Sequence, residues 1–310
     1  MSRPPKLALP MRDGVSASAL ACPPGPWRLL LDFLAERLDL VERSDWAQRM
    51  AAGEVLGPQG QVLPPDSPYR AGQRIYYYRQ LAHETPIPFD EILVHVDEHL
   101  VVADKPHFLP VTPKGRYVQQ TLLTRLKRRL GLQDLTPVHR LDRETAGLTV
   151  FCVQAAHRDA YQRLFRERGV DKVYEAVAAA PPPGLALPRR YRSRLAERPG
   201  DAFMQMCEVD GEPNAETEIR CLGLLPGGPA HYELHPLTGQ KHQLRAQMCA
   251  LGLPLLGDRI YPRLQPPRED FEQPLQLLAR AIAFDDPVSG MRRRFESARQ
   301  LAALDGASAS

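Results

Sequence analysis

Apolar side chains recur along this chain with two different periods. From Trp27 they fall on one helical stripe, Leu30, Leu31, Phe33, Leu34 and Leu38, set among Asp32, Glu36 and Arg37. A second short helix is expected from 44 to about 53, with Ser44 suited to N-capping. Strand-like pieces follow at 54–56 and 73–78, separated by a loop rich in Pro and Gly. Residues 1–24 mix Pro, Gly, Ser and Ala without periodicity and read as a flexible tail, leaving 25–84 as a small domain. Pro86 and Pro88 interrupt either regular structure, so 85–89 reads as a linker.

Residues 90–298 carry the pattern of one α+β domain, with a tail over 299–310. Two apolar runs, at 92–96 and 100–103, flank the polar tip Asp97-Glu98-His99, as in a hairpin. Helices are expected over 119–130, over 157–167 and from about 241 to 251, the last with Leu244, Met248 and Leu251 inward. Strands are expected at 147–153 and 173–178. Strands and helices do not alternate regularly, which argues against a doubly wound parallel sheet, and no internal repeat is present.

The length, 310 residues, suffices for one large domain with a small appendage. No run of roughly 18 apolar residues suggests a membrane span, and no apolar run with a cleavage site follows the N-terminus. The five cysteines are odd in number and never spaced as CxxC, which suits free thiols in a reducing cytoplasm. The net charge of +3 names no partner by itself. Its clustering says more, since Arg125, Lys127, Arg128 and Arg129 form one run and Arg189, Arg190, Arg192 and Arg194 another, both suited to phosphate.

Three segments concentrate polar chemistry. Val138-His139-Arg140-Leu141-Asp142-Arg143-Glu144-Thr145-Ala146-Gly147-Leu148 runs straight into an apolar strand. A lone Asp in a loop is most often a turn or cap residue, but a base, a Gly and a buried strand beside it make a rigid platform. Leu237-Thr238-Gly239-Gln240-Lys241-His242-Gln243-Leu244-Arg245 reads as a helix start capped by Thr238, with Lys241 and Arg245 on one face opposite the core. The third, Val101-Val102-Ala103-Asp104-Lys105-Pro106, is a strand stopped by proline and, read alone, is scaffold.

These blocks, in this order and with Lys172-Val173-Tyr174-Glu175-Ala176, Leu253-Pro254-Leu255-Leu256-Gly257-Asp258 and Phe284-Asp285-Asp286-Pro287 between and after them, resemble the RluA-type pseudouridine synthases over roughly residues 89–297. The resemblance implies a catalytic domain with a mixed, largely antiparallel sheet flanked by helices. It implies Asp142 as catalytic aspartate, Tyr174 as active-site tyrosine and Arg245 as the basic partner of the aspartate. Arg140 falls where the family places an arginine that enters the RNA stack, and His139, Lys105, Lys241 and His242 are the further expected RNA contacts. Gln240, Lys241, Ala146 and Gln247 depart from the family's usual residues. The small N-terminal α/β domain is similar to the RNA-binding domain of bacterial ribosomal small-subunit protein four, through Leu-Asp-Phe-Leu-Ala and Tyr-Arg-Ala-Gly-Gln-Arg-Ile among other pieces.

The activity so implied is isomerisation of uridine to pseudouridine in ribosomal or transfer RNA, by a cytoplasmic monomer. The reaction detaches uracil, rotates it and rejoins it through C5, so no redox cofactor, metal or other small-molecule cofactor is called for. The target must be flipped out of its stack, at a cost of about a few kcal/mol. Asp142 either attacks C1′ or removes the C2′ proton to give a glycal, and the resemblance favours the glycal. Two rivals differ in class. One is a non-catalytic RNA-binding factor, against which the intact Asp142 argues; the other is a metal-dependent hydrolase built on His139, Asp142, His235 and His242, whose spacings are not those of a metal site.

Overall fold

The computed structural model describes residues 7, 9–39, 41–81, 83–200, 205–266 and 270–304. The chain divides into two compact units, the first made of the residues up to Glu84 with Gly115–Gln119 and Thr124–Gln133. In it β1 (Ser18–Ala21), α1 (Leu30–Arg37), α2 (Arg43–Ala51), β2 (Val55–Leu56) and β3 (Arg74–Tyr77) follow in order. The strands form an antiparallel sheet ordered β1-β3-β2. The predicted stripe is buried, and Leu30, Leu31, Phe33 and Leu34 close on Trp46, Met50, Val55 and Ile75.

Three expectations are corrected in this unit. The α2 N-cap is Glu42, without a side-chain cap bond, so Ser44 lies inside the helix. The expected tail over 1–24 contains β1, which pairs with β3 through Ser18 and Tyr77. Hydrogen bonds also hold this stretch: Tyr78 Oη donates to Pro10 O (2.5 Å) and Lys127 Nζ to Ser16 Oγ (2.7 Å). Residues 1–6 and 8 of that tail lie outside the described residues. Lys127 also donates to Gln133 O (2.7 Å) and is buried, so the basic run on the following helix is not one solvated face.

The second unit holds an 11-stranded sheet. Its elements are β4 (Ile92–Val96), β5 (Leu100–Lys105), the first turn of α3 (Leu122–Leu130), β6 (Thr136–Pro137), β7 (Ala146–Cys152), α4 (Arg158–Arg166) and β8 (Val170–Ala178). Then come β9 (Arg189–Glu197), β10 (Met206–Val209), β11 (Ala215–Leu224), β12 (Ala230–Pro236), α5 (Gln243–Ala250), β13 (Leu277–Asp285) and β14 (Arg292–Glu296). The strand order is β10-β9-β11-β12-β8-β13-β7-β5-β4, with β14 on β13 and β6 on β7. The predicted hairpin is β4–β5, and its tip is closed by Asp97 Oδ1 accepting from the N–H groups of His99 (2.8 Å) and Leu100 (2.7 Å). All pairings are antiparallel except β13 with β7, which makes the sheet mixed and largely antiparallel, as expected. The 299–304 part of the expected C-terminal tail is packed, with Leu301 fully buried and the Ala303 N–H on Gln276 Oε1 (2.9 Å); residues 305–310 lie outside the described residues.

One residue of β13 organises the sheet around the polar loop. Ala279 pairs with Gly147 of β7 on one side and with Tyr174 of β8 on the other. The strands carrying the Asp142 loop and Tyr174 are thereby placed two strand spacings apart, about 10 Å. The approach on the β7 side needs a glycine: Gly147 has φ +110, and a Cβ there would lie 2.3 Å from Ala279 O. Gly147→Ala is therefore expected to lower unfolding stability by at least about 2 kcal/mol from backbone strain and clash. Urea unfolding measures this, and an unchanged midpoint would mean that β7 and β13 do not approach as described.

Candidate active site

Asp142 stands in the loop between β6 and β7 with its side chain 31 % exposed. That loop is tied down from the end of β5. The Lys105 ammonium, fully buried, donates to Arg143 O (3.0 Å), Leu109 O (2.8 Å) and Pro106 O (3.0 Å). His107 Nδ1 lies 2.6 Å from Glu144 O, and the Thr145 N–H bonds back to Asp142 O (3.2 Å). His139 Nε2 accepts from the Val150 N–H (3.1 Å) while its ring stacks on Phe165, centroids 4.7 Å apart. Burial pushes His107 down to about 4, against the pull of its bond to Glu144 O, and pushes His139 down to about 3. Both are therefore neutral near pH 7, which for His139 is also what accepting the Val150 N–H requires. Lys105 and His139, expected as RNA contacts, are thus anchors of the Asp142 loop. A lysine saturated by three carbonyls has no donor left for a phosphate.

The second half of the site comes from α5 and the turn after it. The α5 N-cap is His242, at φ +54 and without a side-chain cap bond. Thr238, expected as the cap, instead accepts from the Glu216 N–H (2.8 Å) and donates to Gln243 Oε1 (2.7 Å), fixing the loop against β11. Because the helix begins only at Gln243, Lys241 and Arg245 do not share a helical face. Lys241 is exposed and bonds Glu197 Oε1 (2.9 Å), whereas Arg245 is buried. Arg245 Nε and Nη2 grip Asp258 Oδ2 (2.8 Å) and Oδ1 (2.7 Å), and Nη1 reaches Asp142 Oδ2 at 3.3 Å. Asp258 Oδ1 also takes the N–H groups of Ile260 (2.8 Å) and Tyr261 (3.0 Å). Burial acts to lower the Arg245 pKa, but the hydrogen bond and charge of Asp258, with Asp142 behind them, raise it above the ordinary range. His242 approaches from the other side, with Nε2 3.8 Å from Asp142 Oδ2 and Nδ1 3.3 Å from Tyr261 Oη.

Tyr174 completes the group. It lies on β8, partly buried, against the cluster that includes Leu244 and Met248 of α5. Burial and the Asp142 charge both raise its phenol above the ordinary range. Asp142, Tyr174, Arg245 and His242 thus lie in one neighbourhood. Arg140 is exposed and makes no hydrogen bond or ion pair within the described residues. Sequence reasoning gave no role to Asp258, the partner that fixes Arg245; the Gly257-Asp258 pair after an apolar run was its signal. It also missed His107, for which two residues past a strand end offer none. The four side chains considered for a metal do not converge: His139 is turned to Val150 and His235 to Glu233 (2.8 Å). Among the described residues no three His, Cys, Asp or Glu side chains are grouped to hold an ion.

A model of the RNA pseudouridylate synthase family matches residues 99–250, a segment containing Asp142, Tyr174 and Arg245. The chain is 33% identical over 236 residues to an uncharacterized RNA pseudouridine synthase of Synechocystis sp., covering 75% of this chain and 79% of that protein. It is also 33% identical over 211 residues to the dual-specificity RNA pseudouridine synthase RluA of Salmonella typhimurium, covering 66% and 91%. Among solved structures, human RNA pseudouridylate synthase domain containing 4 is similar at TM-score 0.53 and 27% identity, covering 68% of this chain and 91% of that one.

Two outcomes test this geometry. Asp258→Asn leaves the Arg245 guanidinium buried without its counter-charge, and is expected to cost about 3–5 kcal/mol in urea unfolding. His107 and His139 sit below their ordinary 6.5, so the folded chain binds fewer protons than the unfolded chain at acid pH. Their share of stability is complete above about pH 6.5 and is lost as pH falls toward about 4 and below. The urea midpoint should fall across that window, and fall less in His107→Asn; identical profiles would refute the His107 assignment.

Proposed function

The chain belongs to the RluA-type RNA pseudouridine synthases, and from that premise we propose that Asp142 is the carboxylate with which it isomerises uridine in ribosomal RNA. One observation carries the assignment. Asp142 Oδ2 is held by a buried arginine whose other nitrogens are occupied by Asp258, while Asp142 Oδ1 has no donor among the described residues. One oxygen is oriented and the other is left for the sugar.

The reaction breaks N1–C1′, forms C5–C1′, releases the C5 proton and leaves a proton on N1, so atoms and electrons balance without an oxidant or reductant. Whether the carboxylate engages C1′ or the C2′ proton, it works best when it cannot swing away, which the Arg245 bond secures. Tyr174 serves as the face on which detached uracil stacks. Its raised phenol argues against a role as base, because a hydroxyl slow to ionise is a poor proton acceptor. Arg140, exposed and unpaired, is suited to fill the stack that the flipped base leaves. Ribosomal RNA is the favoured target because of the N-terminal unit's resemblance to a ribosomal-protein RNA-binding domain. Transfer RNA is the second reading, and the Salmonella relative, named a dual-specificity RNA pseudouridine synthase, supports more than one kind of target. The protein is taken to act as a cytoplasmic monomer; among the described residues no helix is long and apolar enough to cross a membrane.

Tritium release from RNA labelled at uracil C5 tests the reading, with ribosomal and transfer RNA pools from a strain lacking the enzyme assayed separately. Asp142→Ala is expected to fall by about a thousandfold or more, the scale of a lost acid–base group. Near-normal release by that variant would move the assignment to another residue. Tyr174→Phe should keep most of the rate, whereas Tyr174→Ala should lose roughly tenfold or more, as for a removed stacking face. Equal losses in both would make the hydroxyl essential and refute the stacking role.

A further inference from the structure

Lys172 and Lys105 are both lysines taken into the interior of the second unit, but their surroundings differ. Lys105 spends all three ammonium protons on backbone carbonyls. Lys172, partly buried on β8, has one, Thr238 O at 3.0 Å, and no carboxylate pairs with it among the described residues. Burial pushes Lys172 down to about 8, with the charge of another cation, Arg168, adding to the shift. Arg168 follows α4 at φ +62, is exposed, and makes no side-chain hydrogen bond or ion pair among the described residues. The adjacent Asp171 is turned to the opposite face of the strand, where it pairs with Arg292. Two cations drawn together with donors unfilled are unfavourable in the free protein and become favourable when an anion sits between them.

The location says which anion. Alternation along β8 puts Lys172 on the same face as Tyr174, about 7 Å away along the strand. The bond from Lys172 to Thr238 O places the ammonium against the loop that leads into α5 and so to Arg245, and its charge acts on His139. We infer that Lys172 and Arg168 form a binding site for a backbone phosphate of the flipped nucleotide, whose base lies on Tyr174. The site rests on the RNA-isomerase reading above and adds to it the groups that hold the nucleotide by its backbone. Lys172 and Arg168 are binding residues here, distinct from the carboxylate that does the chemistry.

The test uses the full chain and the C5-labelled ribosomal RNA pool, with Lys172→Met, Lys172→Arg and Arg168→Ala. RNA affinity is measured against KCl concentration by filter binding, and tritium release gives kcat and KM. Each lost phosphate contact is expected to lower the log–log salt slope by about 0.7–0.9. Loss of a charge-assisted bond should raise KM roughly tenfold with kcat little changed, while Lys172→Arg, which retains the charge, keeps the salt slope that Lys172→Met loses. An unchanged slope with a fallen kcat in Lys172→Met would place the ammonium on the departing uracil and overturn the phosphate site. An unchanged slope and KM in Arg168→Ala would remove Arg168 from it, and because that residue is exposed, loss of folding does not obscure the result. Wild type that binds RNA without releasing tritium would overturn the isomerase reading alone, since the salt slopes are read independently of turnover.

Discussion

The buried pairing of Arg245 with Asp258 is the constraint on which the site depends. A guanidinium inside a protein is tolerable only when its donors are filled in good geometry. Asp258 fills Nε and Nη2 in the planar, two-pronged manner that suits a carboxylate. Asp258 is in turn held by the backbone N–H groups of Ile260 and Tyr261. The remaining nitrogen is thereby aimed in one direction, at Asp142. The pair joins α5 to the turn after it, and Gly257 permits that turn, since at φ +72 a Cβ would lie 2.4 Å from Pro274 O. Lysine in place of Arg245 would offer a point charge on a flexible stem and could not fill this geometry.

The sheet supplies the other half of the constraint. With β13 between β7 and β8, one backbone position, Ala279, sets the spacing between the strand that follows Asp142 and the strand that bears Tyr174. A single parallel pairing inside an otherwise antiparallel sheet allows this, because it brings the beginning of β7, and so the loop before it, level with Tyr174. The loop itself has little regular structure and is fixed by side chains from the end of β5, Lys105 and His107, that accept no role in chemistry. Cations of the second unit therefore fall into two kinds. Lys105 and Arg245 are bonded within the chain and hold shape; Arg140, Lys172 and Arg168 keep donors unfilled, the condition for meeting an anionic polymer.

The apolar stripe of α1, the inward Leu244 and Met248 of α5 and the apolar runs of β4 and β5 were legible in the sequence, because each is set by a local apolar pattern. So was the set Asp142, Tyr174, Arg245 and His242, since these residues stand in dense motifs whose order is itself informative. Local chemistry misled where a long-range partner won. Ser44 and Thr238 have the side chains of N-caps, yet one lies inside its helix and the other is captured by Glu216 and Gln243. Lys241 and Arg245 are four apart, yet the helix starts between them. The N-terminal stretch has no period of its own and takes its strand from pairing with β3.

By itself the sequence determined the elements with a strong apolar pattern and the order of the polar motifs, since both are properties of neighbours along the chain. Only the tertiary structure decided what each polar residue does there. His139 belongs to the same segment as Asp142 and Lys105 to another of the three, and burial sets both apart from Asp142: their donors and acceptors are used up by backbone groups brought in from elsewhere. Lys172 has one such partner, Thr238 O, and no paired carboxylate among the described residues. Burial and hydrogen-bond saturation depend on contacts between residues distant in sequence, so the line between scaffold and function is drawn when the chain folds.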